Sequence, residues 1–333
     1  MSRWLPQLDS TITRMLRLSV AVGPHWKKGG TLQGMQARWL IALAPAVAAS
    51  LYYFGFGALR VLSLAILFSL LADVTVERFA PSKDRTSNWT SVTFAVMLAL
   101  FMPLGTPWWL VLAGCVLMIV IGKKLFGGYG GYPVHPVLAA VAMLELSWPA
   151  RLDSTRAMID FPWAANPVEP TRFAANAGGG VEALYPWQDL FVGLQVAGIG
   201  NAMVVFLLAG GLFLVLIREV PWQLPLSFVA GLLVTSLVVA ALGDPGEFPS
   251  PLFFVLTGSV AYGAFFFVTD HTTSPVGSLA MVLYGLLAGM LVMLIRAFSV
   301  HHDGVVFGVL LASLAVPLLD RISKPVVGLE AGS

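Results

Sequence analysis

Charged residues are scarce in this chain of 333 residues: they make up 11% of it, whereas hydrophobic residues make up 58%. A soluble domain carries about 25% charged residues, so the composition excludes an ordinary water-soluble enzyme and a disordered chain. The formal net charge of +2 is too small to indicate a nucleic acid as partner. Cysteine is almost absent as well. Cys115 alone cannot form an internal disulfide, a four-cysteine zinc site or an iron–sulfur cluster.

Long apolar runs are what the chain does have. A helix that spans a bilayer needs about 20 mostly apolar residues. Basic residues concentrate in the N-terminal segment and in alternate connections, which predicts a multi-pass membrane protein with both termini cytoplasmic. The sequence predicts an all-α integral membrane protein with ten spans, some of them short or broken, at 39–57, 59–77, 89–104, 107–122, 133–149, 196–217, 222–242, 251–268, 277–296 and 304–320.

A long polar connection divides the predicted spans into two sets of five. Residues 150–195 are expected to form an extracytoplasmic loop between the halves 39–149 and 196–322. An odd number of spans in each half gives the halves opposite orientations, as in membrane proteins built from inverted repeats. Residues 1–38 are expected to form an amphipathic cytoplasmic segment, and residues 323–333 a cytoplasmic tail.

Each half contains a polar stretch that breaks the apolar pattern. The first runs from Gly127 to Pro136 before the fifth span, and the second runs from Thr269 to Pro275 before the ninth. We expect these two breaks to hold equivalent places in the two halves. Unwound backbone at membrane depth is tolerated only where protein buries it or where it lines a cavity. The breaks are therefore the candidate walls of a site.

Ionisable residues inside a membrane are functional candidates. His135 and His271, one at each break, can ligate a haem or metal, relay protons to a quinone, or cap helix ends. Asp270 can accept hydrogen bonds from a flavin ring or coordinate a cation with backbone carbonyls. Glu145 lies within the fifth span and is a candidate for a cation or proton path.

Two further pairs of residues are functional candidates, and the first pair also has a structural interpretation. Asp73 and Glu77, one helical turn apart, belong either to an ion path or to the membrane interface as anchors. Gly198 and Gly200 open the sixth span, where a glycine-containing helix N-terminus can approach an anionic or carbonyl-rich ring. No catalytic triad, phosphate-binding loop or resident metal site is expected in the chain.

Several short runs occur in a specific order and spacing. They are Pro107-Trp108-Trp109, Gly122-Lys123-Lys124-Leu125-Phe126-Gly127-Gly128, Ser147-Trp148-Pro149, Gly263-Ala264-Phe265-Phe266 with Thr269-Asp270, Gly304-Val305-Val306-Phe307 and Pro317-Leu318-Leu319-Asp320. Together they resemble the RnfD/NqrB family, whose members are membrane subunits of the Rnf electron-transport complex and of the sodium-translocating NADH:quinone reductase. The resemblance covers residues 24–325.

The resemblance implies a ten-helix flavoprotein subunit of a redox-driven ion pump in a bacterial-type inner membrane, with the iron–sulfur clusters in partner subunits. It also implies FMN joined by its phosphate to a loop threonine, and riboflavin or a second flavin deeper in the helical core. Thr171 falls at the acceptor position, and Arg172 beside it can hold a flavin phosphate. The candidate flavin-binding residues are Thr171, Arg172, Lys123, Gly127, Gly128, Gly198, Gly200, Asp270, His271 and His135, and the candidate ion-path residues are Glu145 and Asp270.

The chain departs from the family pattern at the acceptor and at both breaks. Glu169, Pro170 and Arg172 replace the small residues and the proline that flank the threonine, while His135 and His271 stand where the family tends to have asparagine and proline. One hypothesis is a flavin-carrying subunit of an ion-translocating complex. A second is a paralogue without covalent FMN, acting as a membrane anchor or as a quinone- or haem-facing subunit of another oxidoreductase. A third is a flavin-free channel or transporter.

Overall fold

A computed structural model describes residues 31–79, 87–154, 170–171, 182, 184–242, 248–299 and 303–322. Within these residues the chain is all-helical, without a β-strand, as predicted. Each of the ten predicted ranges contains helical residues. The α-helices α1 to α13 are, in order, Leu32–Phe54, Phe56–Phe79, Ser87–Phe101, Trp108–Val116, Pro136–Ser147, Trp187–Val192, Val204–Leu216, Gln223–Leu242, Pro251–Leu256, Val260–Tyr262, Ser278–Phe298, Val305–Leu314 and Val316–Ile322.

Four of these helices, α1, α2, α8 and α11, are long and apolar enough to cross a membrane. The pair α12 and α13, bent by 50° at a short break, adds a fifth candidate. Helices α3, α5 and α7 are apolar but shorter. The expectation of a multi-pass membrane protein with some short or broken helices is therefore confirmed, while the count of ten spans stays a prediction.

Two helices continue into wider π-helical turns. Leu117–Lys124 continues α4, and Gly263–Phe267 continues α10. Each π-helical segment leads directly into one of the two polar breaks. π-Helical turns are rare in proteins, and those that occur are often at functional sites.

Local sequence explains where the helices begin. Helix α1 begins after Thr31, whose hydroxyl oxygen accepts the backbone N–H of Gly34 at 3.1 Å. Helix α5 begins with Pro136, which has no N–H to leave unpaired, and its N-cap is His135. The Nδ1 atom of His135 accepts the N–H of Val137 at 3.3 Å. Both caps satisfy backbone donors that the first helical turn leaves free.

Glycines set the close packing between helices. At Gly289 of α11, an added Cβ would meet the backbone of α8 at Phe228, and at Gly210 of α7 it would meet the carbonyl oxygen of Ala42 in α1. Small residues allow membrane helices to approach this closely. The contact between α1 and α7 joins the first half of the chain to the second.

Replacing Gly210 with alanine tests this contact. Because the new methyl group has no room against the backbone of α1, Gly210→Ala is expected to destabilise the folded protein by about 1–3 kcal/mol. Thermal unfolding of the purified protein measures the effect. The control is Gly34→Ala, where the nearest atom is a hydroxyl oxygen 3.3 Å away, and it should leave the melting temperature unchanged or raise it. Equal melting temperatures for Gly210→Ala and the unmodified protein would contradict the packing.

Candidate functional site

The two polar breaks touch each other inside the helical bundle. The rings of His135 and Phe267 lie edge to face with centroids 4.9 Å apart, and His135 and Asp270 line one small cavity. The breaks are therefore opposing walls of one interior site. Whether the breaks also hold equivalent places in two inverted halves stays a prediction, because counterparts in an inverted repeat can meet near the middle of the bilayer.

The small cavity lies between α1, α3 and the two breaks. Its volume is about 10 Å³, which is about the space of one water molecule and far too small for a flavin ring. Asp270 is buried, and the hydroxyl groups of Thr272 and Thr273 both donate to its Oδ2 atom. The lining residues are Gln36, Trp39, Thr93, Phe94, Met97, Tyr129, His135 and Asp270.

The two histidines have different surroundings. His135 is buried and caps α5, which was one of the three predicted roles. His271 does not line the small cavity, and its Nε2 atom lies 3.9 Å from Oε1 of Glu219. The other carboxylate oxygen of Glu219 lies 2.9 Å from Nε of Arg38 in α1. His271 thus stands beside an ion pair that connects the two halves of the chain.

A larger cavity, of about 340 Å³, lies where α3 and α5 end. Phe101 and Phe307 contribute apolar surface to its wall. The polar groups in the wall include those of Glu145, Asn201 and Asp303. Asn201 is 7% exposed, and its Oδ1 atom has no hydrogen-bond partner among the described residues. A buried acceptor without a partner is costly, so this oxygen indicates a ligand with a donor group.

Packed side chains separate the two cavities. Phe101 lines the large cavity and Met97 lines the small one. Tyr262 contacts both of these residues. The ring of Tyr262 is 5.2 Å from that of Phe101, and its hydroxyl donates to the carbonyl oxygen of Met97 at 3.0 Å. The ring of Phe267 completes the cluster, 4.8 Å from Tyr262 and 5.5 Å from Phe101.

A guanidinium group organises the backbone beside the large cavity. Arg296 of α11 donates to the carbonyl oxygens of Phe254 at 2.7 Å, Thr257 at 3.1 Å and Asp303 at 2.6 Å. It also pairs with the carboxylate of Asp303 at 2.9 Å, which in turn accepts the backbone N–H of Ser259 at the same distance. The bonds at Thr257 and Ser259 satisfy unwound backbone between α9 and α10.

Lys123 belongs to a buried polar cluster and lines neither cavity. Its Nζ atom donates to the hydroxyl oxygens of Thr90 at 2.7 Å and Ser91 at 2.9 Å, and lies 3.7 Å from the carboxylate of Asp73. Lys124 pairs with the same carboxylate at 2.9 Å and with Glu77 at 3.1 Å. Asp73 is fully buried. It is therefore a partner of two lysines within the protein, and the expectation of an anchor at the membrane interface is wrong for it.

The glycines predicted to approach a flavin have structural roles. Gly127 and Gly128 have φ values of +94° and +101°, which favour glycine, and neither lines a cavity. Gly198 and Gly200 do not open a helix, because α7 begins only at Val204. An added Cβ at Gly198 would collide with the last turn of α3, although Gly198 also lines the large cavity.

The predicted flavin acceptor lies at the edge of the described chain. Thr171 is 5% exposed, so its side chain is buried, whereas Arg172 lies outside the described residues. Of the predicted ion-path residues, Glu145 lines the large cavity and Asp270 the small one.

The residues that line the cavities include polar side chains that the sequence analysis did not predict, and three of these carry an unpartnered polar atom. Gln36 and Trp39 line the small cavity and Asn201 lines the large one. Gln36 and Trp39 are three residues apart and hence share one face of α1. A polar amide on the same helical face as a tryptophan, at the beginning of an apolar run, was the available signal.

The charge of Asp73 is expected to hold its cluster together. Asp73→Asn keeps the shape of the side chain but leaves two buried ammonium groups without their shared counter-charge, so a loss of about 3–5 kcal/mol is expected. Glu77→Gln is the matched control, since Glu77 is 33% exposed and its loss should cost about 1 kcal/mol or less. Denaturant unfolding of both variants measures the difference, and equal losses would contradict the cluster.

Comparison with known proteins gives a consistent result over nearly the whole chain. The model of the NQR2, RnfD, RnfE family matches residues 19–328. The chain is 30% identical over 311 residues to a protein of Acetobacterium woodii that is named as a subunit of the Na⁺-translocating ferredoxin:NAD⁺ oxidoreductase complex, covering 93% of this chain and 94% of the relative.

Similar values hold for two relatives from other bacteria, both named as a subunit of an ion-translocating oxidoreductase complex. The chain is 32% identical over 345 residues to the protein of Vibrio cholerae, covering 92% of this chain and 97% of the relative. It is 32% identical over 330 residues to the protein of Escherichia coli, covering 86% of this chain and 91% of the relative. The chain therefore belongs to the NQR2, RnfD, RnfE family.

Proposed function

We propose that this protein is the membrane subunit of a redox-driven, ion-translocating electron-transport complex and that it carries electrons through a bound flavin. The family and the names of the relatives support the assignment to such a complex. With one cysteine, the chain has no ligands for iron–sulfur clusters, so partner subunits must exchange electrons with it. The proposed topology is ten spans in two inverted halves with both termini cytoplasmic, which puts the large cavity at the extracytoplasmic side.

The large cavity supports the flavin part of the proposal. Its volume of about 340 Å³ lies within the range of small-molecule sites, which is about 300–1,000 Å³. Phe101 and Phe307 supply apolar surface for a planar ring, and the unpartnered Oδ1 atom of Asn201 supplies an acceptor for a ring N–H group. This unpartnered oxygen is the observation that carries the proposal. When bound, a flavin supplies one- and two-electron transfer, and the protein positions it and tunes its potential.

The connection that carries Thr171 begins at the same cavity, since Ser154 lies in the cavity wall. The small cavity, by contrast, has no room for a ring. Asp270 is accordingly proposed as an ion-path residue and His135 as a structural residue. Asn201 replaces both as the proposed flavin partner.

A second function is favoured by the surroundings of Thr171. Thr171 is buried, and Pro170 before it removes a backbone donor and restricts the chain. A flavin transferase needs an accessible, extended segment around the acceptor. These features favour a paralogue that holds its flavin without a covalent bond, or that serves as a membrane anchor or a quinone-facing or haem-facing subunit of another oxidoreductase.

Mass spectrometry of the 150–190 segment tests the covalent bond. If FMN is attached, the peptide that contains Thr171 carries the mass of FMN, and acid-precipitated protein fluoresces yellow-green. Thr171→Ala then abolishes both signals, whereas Thr155→Ala in the same connection retains them. Flavin released by acid, or a haem absorption band, indicates the second function. Purified complex with no chromophore at all contradicts a flavin-carrying subunit.

Titration with riboflavin tests the role of Asn201 separately. Asn201→Leu removes the acceptor, and the loss of one hydrogen bond of about 1 kcal/mol should weaken riboflavin binding about fivefold. Asn88→Leu is the control, because Asn88 is an exposed amide at the beginning of α3. Quenching of riboflavin fluorescence by the flavin-depleted protein gives both dissociation constants. Equal affinity of Asn201→Leu and the unmodified protein would remove Asn201 from the site.

A further inference from the structure

The small cavity between the breaks contains polar atoms that pair with nothing in the described part of the protein. The Nε1 atom of Trp39 and the Oε1 atom of Gln36 are buried and have no hydrogen-bond partner there. The two residues are 4% and 3% exposed. Each unpaired buried polar group costs about 1–3 kcal/mol, so one donor and one acceptor without partners in the same cavity indicate a bound ligand.

Two more lining residues complete the set of donors and acceptors. Because Nδ1 of His135 accepts the N–H of Val137, the proton of the neutral imidazole is on Nε2, and the ring is a second N–H donor. Asp270 brings a buried carboxylate, which is a second acceptor.

Two donors and two acceptors around a space of about 10 Å³ match the hydrogen-bonding capacity and the size of one water molecule. A dehydrated alkali cation does not fit, because it needs a shell of oxygen ligands and two of these four groups present N–H hydrogens. An anion does not fit beside the carboxylate of Asp270. The chemistry of the lining residues therefore selects a neutral ligand that both donates and accepts.

We propose that the small cavity is a site for a single, slowly exchanging water molecule that hydrogen-bonds Trp39, Gln36, His135 and Asp270. This water joins α1, the first break and the second break, and so connects the two halves through the interior of the bundle. It keeps Asp270 solvated without contact with bulk water. The site also excludes bare sodium from this position, whether or not the protein binds a flavin in the large cavity.

Radiolytic footprinting of the full-length protein with ¹⁸O-labelled water tests the site. Hydroxyl radicals formed from a bound water oxidise only its neighbours, and a bound water that exchanges slowly still carries ¹⁶O just after mixing. Trp39 and Met97, which line the cavity, should therefore be oxidised with retained ¹⁶O. Met118 is equally buried but lines neither cavity, and it should stay unmodified. The same labelling is expected in sodium and in choline buffers.

Removal of one acceptor provides the matched variant. Gln36→Leu should reduce the oxidation of Met97 to the level of Met118, whereas Gln33→Leu, at an exposed glutamine one turn earlier in α1, should leave it unchanged. Unmodified Trp39 and Met97 in the starting protein would show that the cavity is empty. Incorporation of ¹⁸O at the bulk ratio would show that it is open to solvent. A loss of labelling caused by sodium would show a cation in place of water. Each of these three results overturns the proposal.

Discussion

A bilayer offers no hydrogen-bond partners to the backbone, and this constraint governs how the two halves of the protein meet. The helices are interrupted at several points, and each interruption leaves N–H and carbonyl groups that only protein can satisfy. The N–H groups of Ile199 and Gly200 therefore bond the carbonyl oxygens of Met102 and Leu100 at the end of α3. Arg296 satisfies the carbonyl groups of the second half in the same way. Since every unwound segment needs such partners, the unwound segments collect in the interior.

The two cavities follow from this arrangement. Irregular backbone and its polar partners pack less completely than regular helix against helix, and spaces remain on both sides of the cluster of Tyr262, Phe101 and Phe267. The space near Asn201 has the size of a small-molecule site and is lined by a residue with an unpartnered acceptor. The space near Asp270 has the size and the donors for a water molecule. Both spaces keep polar groups inside apolar surroundings without exposing these groups to lipid.

The sequence predicted the positions of the helices well because length and hydropathy decide them. It also predicted both breaks, since clustered glycine and proline cannot continue a helix. It did not predict which segments face each other. Asp73 looked like an interfacial anchor because its partners, Lys123 and Lys124, come from a distant part of the chain. The two breaks are similar in composition, and only the packing shows that His135 and Asp270 line the same cavity. Pairings of this kind depend on tertiary packing, which hydropathy does not encode.

Chemical cross-linking measures most directly whether the two halves meet at the breaks. Arg38 and Glu219 form an ion pair of 2.9 Å next to His271, so cysteines at both positions, in a Cys115→Ser background, are within reach of a short bifunctional thiol reagent. A cross-link between the peptides that contain positions 38 and 219 is expected from the membrane-embedded protein. A control pair at Trp109 and Trp148, whose rings are 5.6 Å apart within the first half, should also link. A link at the control pair together with none between positions 38 and 219 would contradict the account.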